Sequence, residues 1–429
     1  MKKSKYQFYE DLGDDRFLHY SASSNSFIIM QKQQHDIFET AAENLPSELL
    51  DKCKKAQFLI DNDYDETNQI IKRRKEWMDS PEMYQIMVNP TLDCNLNCWY
   101  CYENRIKDSK ISDDIIKGIK RNIELHYSKH TFTCLKLSFF GGEPFLCFEA
   151  IKEILDFAKE FCASKEIELI ADFTTNATLI DDDIVKYLSQ YRCHFQITLD
   201  GNEEQHNKIK SCKEKPFNSY RKVLEVLKLI NDNIENRWLA VRVNFDNRTL
   251  ATFENILKDI SFLDRRFTYV IIKKVWQLKT ELVDKEALLN AIQLTFDYKF
   301  TPDYYIMPKG CLCFAERRHQ ALVNYDGGVF KCSTLNSFDK DNSLGTFNPE
   351  TGEITWDGAK TAEWYADMQP DYCKECKWFP ACMGICNRQL IAHNGERICT
   401  FDAMNLSPKE YLMYLFKCQL LQRSIQWNE

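Results

Sequence analysis

TLDCNLNCWYC, residues 91–101, places three cysteines, Cys94, Cys98 and Cys101, in a C-x3-C-x2-C spacing. Three thiols this close can hold a metal centre, yet zinc and iron–sulfur cubes both usually take four protein ligands. The flanking sequence offers no fourth thiol or histidine. On a [4Fe–4S] cube, three thiolates leave one iron without a protein ligand, where something small and exchangeable can bind. A zinc site is the alternative, and it would need its fourth ligand from elsewhere. The stretch follows YQIMVNPT, a strand-like run, so the cysteines fall on the loop leaving its C-terminal end. In parallel α/β sheets, ligands gather at that edge.

Downstream the same rhythm repeats. LKLSFFGG, IELIADFTTN, HFQITLDG, WLAVRVNFD and FTYVIIKKV read as strands, and amphipathic helices such as DDIIKGIKRNIELHY and SYRKVLEVLKLIND lie between them. Six such units over residues 81–304 predict an α/β fold, a partial (β/α)6 TIM-like barrel with an open side. Eight units would be needed to close it.

Residues 1–80 read as a separate winged-helix-like domain. KYQFYE, RFLHYS and SFIIMQ are short β-rich runs, and helices are expected around HDIFETAAENL, PSELLDKCKKA and ETNQIIKRRKEWM. The basic run Lys72–Lys75 in the last of these is expected to be a solvated helix face. Residues 305–429 lose the βα rhythm and are rich in short strands, loops and cysteines, with a helix at the end. A segment with so small a core is expected to be organised by metal.

The chain has 429 residues, 44% hydrophobic and 28% charged, with a formal net charge of -8, so nothing favours nucleic acid or an anionic membrane as partner. No apolar run approaches the ~20 residues that span a bilayer. MKKSKYQFYEDLGDD lacks the apolar core of a signal peptide, and a cytoplasmic location is expected. Eighteen cysteines are then unusual, because that compartment disfavours structural disulfides, and they read as metal ligands where they cluster. Eight cluster in the last third: Cys311, Cys313, Cys332, Cys373, Cys376, Cys382, Cys386 and Cys399. The other seven, Cys53, Cys134, Cys147, Cys162, Cys193, Cys212 and Cys418, are expected to serve as small core hydrophobes.

The opening motif, with Tyr100 before its last cysteine, resembles the signature of radical S-adenosylmethionine (SAM) enzymes. The resemblance implies that the open iron binds the amino and carboxylate groups of SAM, which the reduced cluster cleaves to a 5′-deoxyadenosyl radical. Later strand ends agree with it. FFGGEP, with Gly141, Gly142, Glu143 and Pro144, resembles the motif beside the methionine end of SAM. TTNATL resembles the family's T-N-G-T-L, with Ala177 in place of glycine, and ITLDG resembles S-L-D-G. These imply Thr175, Asn176, Thr198 and Asp200 as SAM-pocket residues, joined by Arg242 and Asn244 on the fifth strand.

The eight C-terminal cysteines resemble the SPASM extension of such enzymes, so three [4Fe–4S] clusters are implied. In that pattern Cys373, Cys376, Cys382 and Cys399 hold a distal cluster, while Cys386, Cys332 and the Cys311/Cys313 pair serve a proximal one, which has an open iron if only one of that pair ligates; two zinc sites are the alternative on ligand count. The resemblance extends to maturases of ribosomally made peptides. There the N-terminal domain captures the leader of a precursor peptide, and an electron donor such as flavodoxin or ferredoxin reduces the cluster. The implied reaction is hydrogen abstraction from the peptide, followed by a thioether or carbon–carbon crosslink or a related change. One alternative is an anaerobic sulfatase-maturating enzyme, which makes formylglycine and typically has an Asp where this chain has Ser333. Another is a catalytically silent leader-binding protein, whose expected mark is loss of one of Cys94, Cys98 or Cys101.

Overall fold

The computed structural model describes residues 1–212, 217–278, 282–304, 312–366, 369–393 and 396–426, so Cys311 lies outside the described residues. The chain divides into two compact units. One gathers Met1–Asp79 with the described parts of Ile306–Arg317 and Trp364–Leu420. The other comprises the described parts of Ser80–Tyr305, Arg318–Glu363 and Leu421–Glu429. The cysteine-rich segment is therefore shared between the two.

In the first unit, β1 (Lys2–Lys3) pairs with β5 (Leu59–Ile60), and β2 (Gln7–Gly13), β3 (Arg16–Ser21) and β4 (Ser26–Gln31) form an antiparallel sheet in chain order. α1 (Lys32–Ala41), α2 (Ser47–Lys55) and α3 (Glu66–Asp79) complete it. Met30, Phe38, Leu45, Cys53, Phe58 and Leu59 make its core. The basic run on α3 is not a solvated face. Lys72 and Lys75 are exposed, Arg73 is half-buried and Arg74 is buried. The reason is helical spacing: Ile70, Arg74 and Met78 recur every four residues and share the buried side.

The second unit is built on one sheet. Its parallel strands are β6 (Met83–Asn89), β7 (Cys134–Phe139), β8 (Glu168–Thr175), β9 (Arg192–Thr198), β10 (Arg237–Phe245) and β11 (Thr268–Lys274), neighbours in chain order, and they match the six strand-like runs. The sheet continues past both ends of this set. β12 (Thr301–Tyr304) adds a parallel strand beside β11, at an edge where Pro302 is tolerated. β13 (Gln320–Asn324) runs parallel to β6, and β14 (Gly328–Phe330), β15 (Gly345–Phe347) and β16 (Ile354–Trp356) extend the sheet antiparallel from there. Sequence reasoning missed β12, where a proline demotes a strand, and expected short strands after residue 305 without placing them in the sheet, because runs of three to five residues carry little pattern.

The strands alternate. Leu135, Leu137, Phe139, Ala171, Phe173, Phe195, Ile197, Val241 and Val243 are buried on one face, while half-buried Lys136, Asp172, His194 and Arg242 mark the other. Of the seven scattered cysteines, Cys53, Cys134, Cys147, Cys162 and Cys193 are buried as expected, but Cys212 and Cys418 are only half-buried.

α4 (Asp113–Lys129) begins at Ser112, whose side chain accepts from the Ile115 amide. On it, His126 stacks on Tyr84 at 3.6 Å between ring centroids, and its Nε2 lies 3.2 Å from Nδ1 of His319. Burial, then His319, His130, Lys331 and Lys129, push its pKa down to about 3. His126 is thus neutral when folded but takes a proton below about 6.5 when unfolded. Its stabilisation is complete above pH 6.5 and is lost progressively as pH falls toward 3. Chemical denaturation should show about 1 kcal/mol less stability at pH 5.5 than at pH 7.5 from this residue, and His126→Phe should flatten that slope.

Candidate active site

The cysteine loop leaves β6 at the C-terminal edge of the sheet and is held there mainly by backbone. Gly142 N–H donates to Thr91 O at 3.0 Å, and Glu143 N–H donates to Asp93 O at 2.8 Å. Gly141 has φ +104°, where a side chain is strained, and a Cβ there would run into Thr91 O. A Cβ on Gly142 would run into Asp93 O. The two glycines let the exit of β7 lie directly against the cysteine loop.

Glu143 is fully buried. Its carboxylate accepts from Phe145 N at 3.1 Å, Thr175 Oγ1 at 2.7 Å and Asn176 N at 2.8 Å. Burial pushes its pKa up to about 7 against these hydrogen bonds and Lys210. This carboxylate joins the ends of β7 and β8, so most of its hydrogen-bonding capacity is used inside the protein rather than kept for an ammonium group. Asn176 then reaches the cysteine loop. Its Nδ2 lies 2.9 Å from Asn95 Oδ1 and 3.7 Å from Cys94 Sγ. Thr178 Oγ1 donates to Asn176 Oδ1 at 2.6 Å, and Asn95 Nδ2 donates to Thr178 Oγ1 at 2.9 Å. Burial pushes the Cys94 thiol up to about 12, with Glu143 adding to it. Iron binding there must displace a firmly held proton.

A second network supports the other end of the loop. The Tyr100 hydroxyl donates to Asp200 Oδ2 and accepts from Asn244 Nδ2 at 3.2 Å. Asn244 N–H donates to Asp200 Oδ1 at 2.7 Å, and Arg242 Nε donates to Asn244 Oδ1 at 2.9 Å. Lys210, 4% exposed, places Nζ 3.7 Å from Asp200 Oδ2 and 3.8 Å from Cys98 Sγ. Burial pulls the pKa of this ammonium down, but Cys98, Tyr100 and Asp200 outweigh it and hold it above the usual lysine range. Thr198 ends β9 in register with Arg242. Pro144 opens the short turn Pro144–Cys147.

Residues 88–260 match the Radical SAM superfamily. The chain is a radical SAM enzyme. It is 23% identical over 354 residues to a cysteine-type anaerobic sulfatase-maturating enzyme of Clostridium perfringens, covering 75% of this chain and 93% of that one. It is also 23% identical over 317 residues to the radical SAM cyclopropyl synthase TigE of Paramaledivibacter caminithermalis, covering 68% and 65%. Among solved structures, anSMEcpe with bound AdoMet and a Cp18Cys peptide aligns at a TM-score of 0.58 and 18% identity, over 81% of this chain and all of that one. The last of these likenesses is one of fold.

A radical SAM domain implies a [4Fe–4S] cluster and SAM. The donor set suits the cluster in number and kind, although among the described residues no three His, Cys, Asp or Glu side chains converge as they would around a single metal ion. Cys94, Cys98 and Cys101 supply three thiols on one loop, pinned by the Gly141–Gly142 close approach. Cys101 is exposed at its outer end, beside half-exposed Trp99. Of the other cysteines, Cys373, Cys376, Cys382 and Cys399 all fall in the first unit. Burial pushes the Cys373 thiol up to about 12, with Cys382, Cys399 and Cys376 near enough to add to the effect. Cys386 and exposed Cys313 belong to the same unit, and half-buried Cys332 to the second.

Sequence reading missed Asn95, Thr178 and Lys210. Asn95 lies inside the cysteine motif, where only the thiols carried a pattern. Lys210 has no motif at all. It arrives because Asn97 N–H donates to Ser211 O at 2.8 Å, which clamps residues 210–212 to the cysteine loop.

Ala177, fully buried, has φ +63°, the left-handed region its glycine counterpart in the family would occupy freely. Ala177→Gly should therefore raise stability by about 1 kcal/mol or slightly less, whereas Gly142→Ala should push the cysteine loop off β7. Thermal melts and iron content after anaerobic reconstitution check both: a higher Tm with full iron for the first, and lost iron for the second.

Proposed function

We propose that this radical SAM enzyme is a maturase of a ribosomally made precursor peptide, held by its leader at the N-terminal domain and modified by hydrogen abstraction at the barrel. The observation that carries this reading is the sheet of residues 7–31. The match to anSMEcpe uses the whole of that chain and 81% of this one. In the sheet β2 and β4 are edge strands, with Tyr9 52% and Ile29 46% exposed. An extended peptide gains main-chain hydrogen bonds by adding to such an edge. A leader held there raises the effective concentration of the core peptide at the reactive site.

SAM, when bound, supplies the 5′-deoxyadenosyl radical through reductive cleavage by an electron from a donor of the flavodoxin or ferredoxin type. The chain's own residues prepare the place. Cys94, Cys98 and Cys101 hold the cluster, and the Glu143–Thr175–Asn176 clamp fixes the loop from one side. Tyr100, Asp200 and Asn244 fix it from the other, with Lys210 as a buried cation beside Cys98. Gly141, Gly142, Thr198 and Arg242 border the SAM pocket. Two auxiliary [4Fe–4S] clusters on the C-terminal cysteines complete the reading.

Formylglycine formation is the second reading, favoured by the similarity to sulfatase-maturating enzymes. Against it stands Ser333, where those enzymes typically carry Asp.

Mass spectrometry of reactions with a leader-bearing precursor, its leaderless core and a sulfatase-type cysteine peptide separates the two. The expected result is leader-dependent loss of hydrogen from the precursor and no formylglycine. Leader-independent formylglycine in the cysteine peptide would establish the second reading instead. Cys94→Ala, Cys98→Ala or Cys101→Ala should each abolish 5′-deoxyadenosine formation under strong reductant while leaving the auxiliary iron, about eight of twelve atoms per chain.

A further inference from the structure

Arg74 is a cation at a buried helix position whose neighbours one turn away, Ile70 and Met78, are apolar. Its guanidinium meets three groups, each close in sequence to an auxiliary cysteine. Nη1 donates to Met383 O at 2.6 Å, one residue past Cys382. Nη2 donates to Asn387 Oδ1 at 3.2 Å, one past Cys386, and to Glu316 Oε2 at 3.0 Å, three past Cys313. The network closes on itself. Asn387 N–H donates to Glu316 Oε1 at 2.8 Å, and Asn387 Nδ2 donates to Trp364 O at 2.6 Å.

The neighbouring contacts point the same way. Arg73 Nη2 donates to Pro380 O at 3.0 Å, and the Tyr6 hydroxyl donates to Lys374 O at 3.0 Å, next to Cys373. Phe8 packs on Trp378, between Cys376 and Cys382, at 4.2 Å between ring centroids. Met383, whose carbonyl Arg74 holds, is fully buried with φ +60°, a conformation that disfavours a bulky side chain. All of these residues belong to the first unit.

Burial alone does not account for the Arg74–Glu316 pair. Desolvating two charges is costly, and apolar residues of similar volume often serve stability as well or better. The pair's distinctive property is direction: a planar fork with fixed donors sets the distance between three separate turns.

We propose that Arg74, paired with Glu316, is a positioning residue for the auxiliary iron–sulfur sites, so that cluster loading depends on a helix of the N-terminal domain. This rests on the auxiliary-cluster reading above. One guanidinium sets the spacing of the turns that carry Cys382, Cys386 and Cys313. Removing residues 1–79 would take this support away together with the leader-binding sheet.

The test compares wild type, Arg74→Lys and the double variant Arg74→Met/Glu316→Met after anaerobic reconstitution, by iron and sulfide content and by electron paramagnetic resonance of the reduced protein. The double variant removes both charges and so leaves none buried without a partner. It should keep its fold and the signal of the SAM-cleaving cluster while losing roughly four iron atoms or showing altered auxiliary signals. Arg74→Lys, which keeps the charge but not the fork, should restore iron only in part. Full iron with unchanged auxiliary signals in the double variant overturns the proposal. If that variant does not fold, wild-type iron and auxiliary signals in Arg74→Lys overturn it. A wild type that binds only about four irons overturns the auxiliary-cluster reading and this inference with it. A wild type with about twelve and an unaffected double variant overturns this inference alone.

Discussion

A carboxylate with no solvent exposure, Glu143, holds together the edge of the sheet on which the radical chemistry depends. A buried charge is tolerated only where hydrogen bonds replace its water. Glu143 finds them in the backbone of Phe145 and Asn176 and the hydroxyl of Thr175, while its own amide reaches Asp93 in the cysteine loop. Three chain segments far apart in sequence are thereby fixed to one another. The glycines before it matter for the same reason, since their missing Cβ atoms are what allow two backbones to touch.

The cysteines of the first unit are supported in a comparable way. There the buried group is a cation, and its partners are a carboxylate, a carboxamide and a main-chain carbonyl. In both places the thiols lie on loops or in single-turn helices, such as Asp371–Lys374 and Phe379–Cys382, and a polar network with defined directions supports them. Such networks specify a geometry because each partner left unmet is expensive.

The likeness to sulfatase-maturating enzymes and to a cyclopropyl synthase places this chain among enzymes with a shared radical SAM framework and different products. The polar face of the sheet is where this chain's own side chains meet whatever lies at the strand ends. Here that face carries Lys136 paired with Asp172 at 3.4 Å, beside His194, whose pKa burial lowers to about 4. The N-terminal segment folds as two small sheets and three helices, the last of which reaches into the cysteine-rich segment.

By itself the sequence determined the parallel framework and the reacting loop. Six runs of alternating or continuously apolar residues became six adjacent strands, because a strand's pattern is local and repeats every two residues. The three thiols and the glycine pair stood out because cluster binding and close backbone approach favour those residue types at those spacings, and Asp200 stood out only through the resemblance of ITLDG to a family motif. Tertiary structure decided what no local pattern encodes. Arg74 read as part of a solvated basic run until packing turned it inward beside Glu316, 242 positions away. Lys210 carried no motif, and it reached Cys98 only because a loop folds back onto the cysteines. Strands β12 and β13 joined the sheet although one contains a proline and the other lies in the cysteine-rich part of the chain. In each case the deciding term is burial of a polar or backbone group against a distant partner, and that energy exists only once the chain has folded.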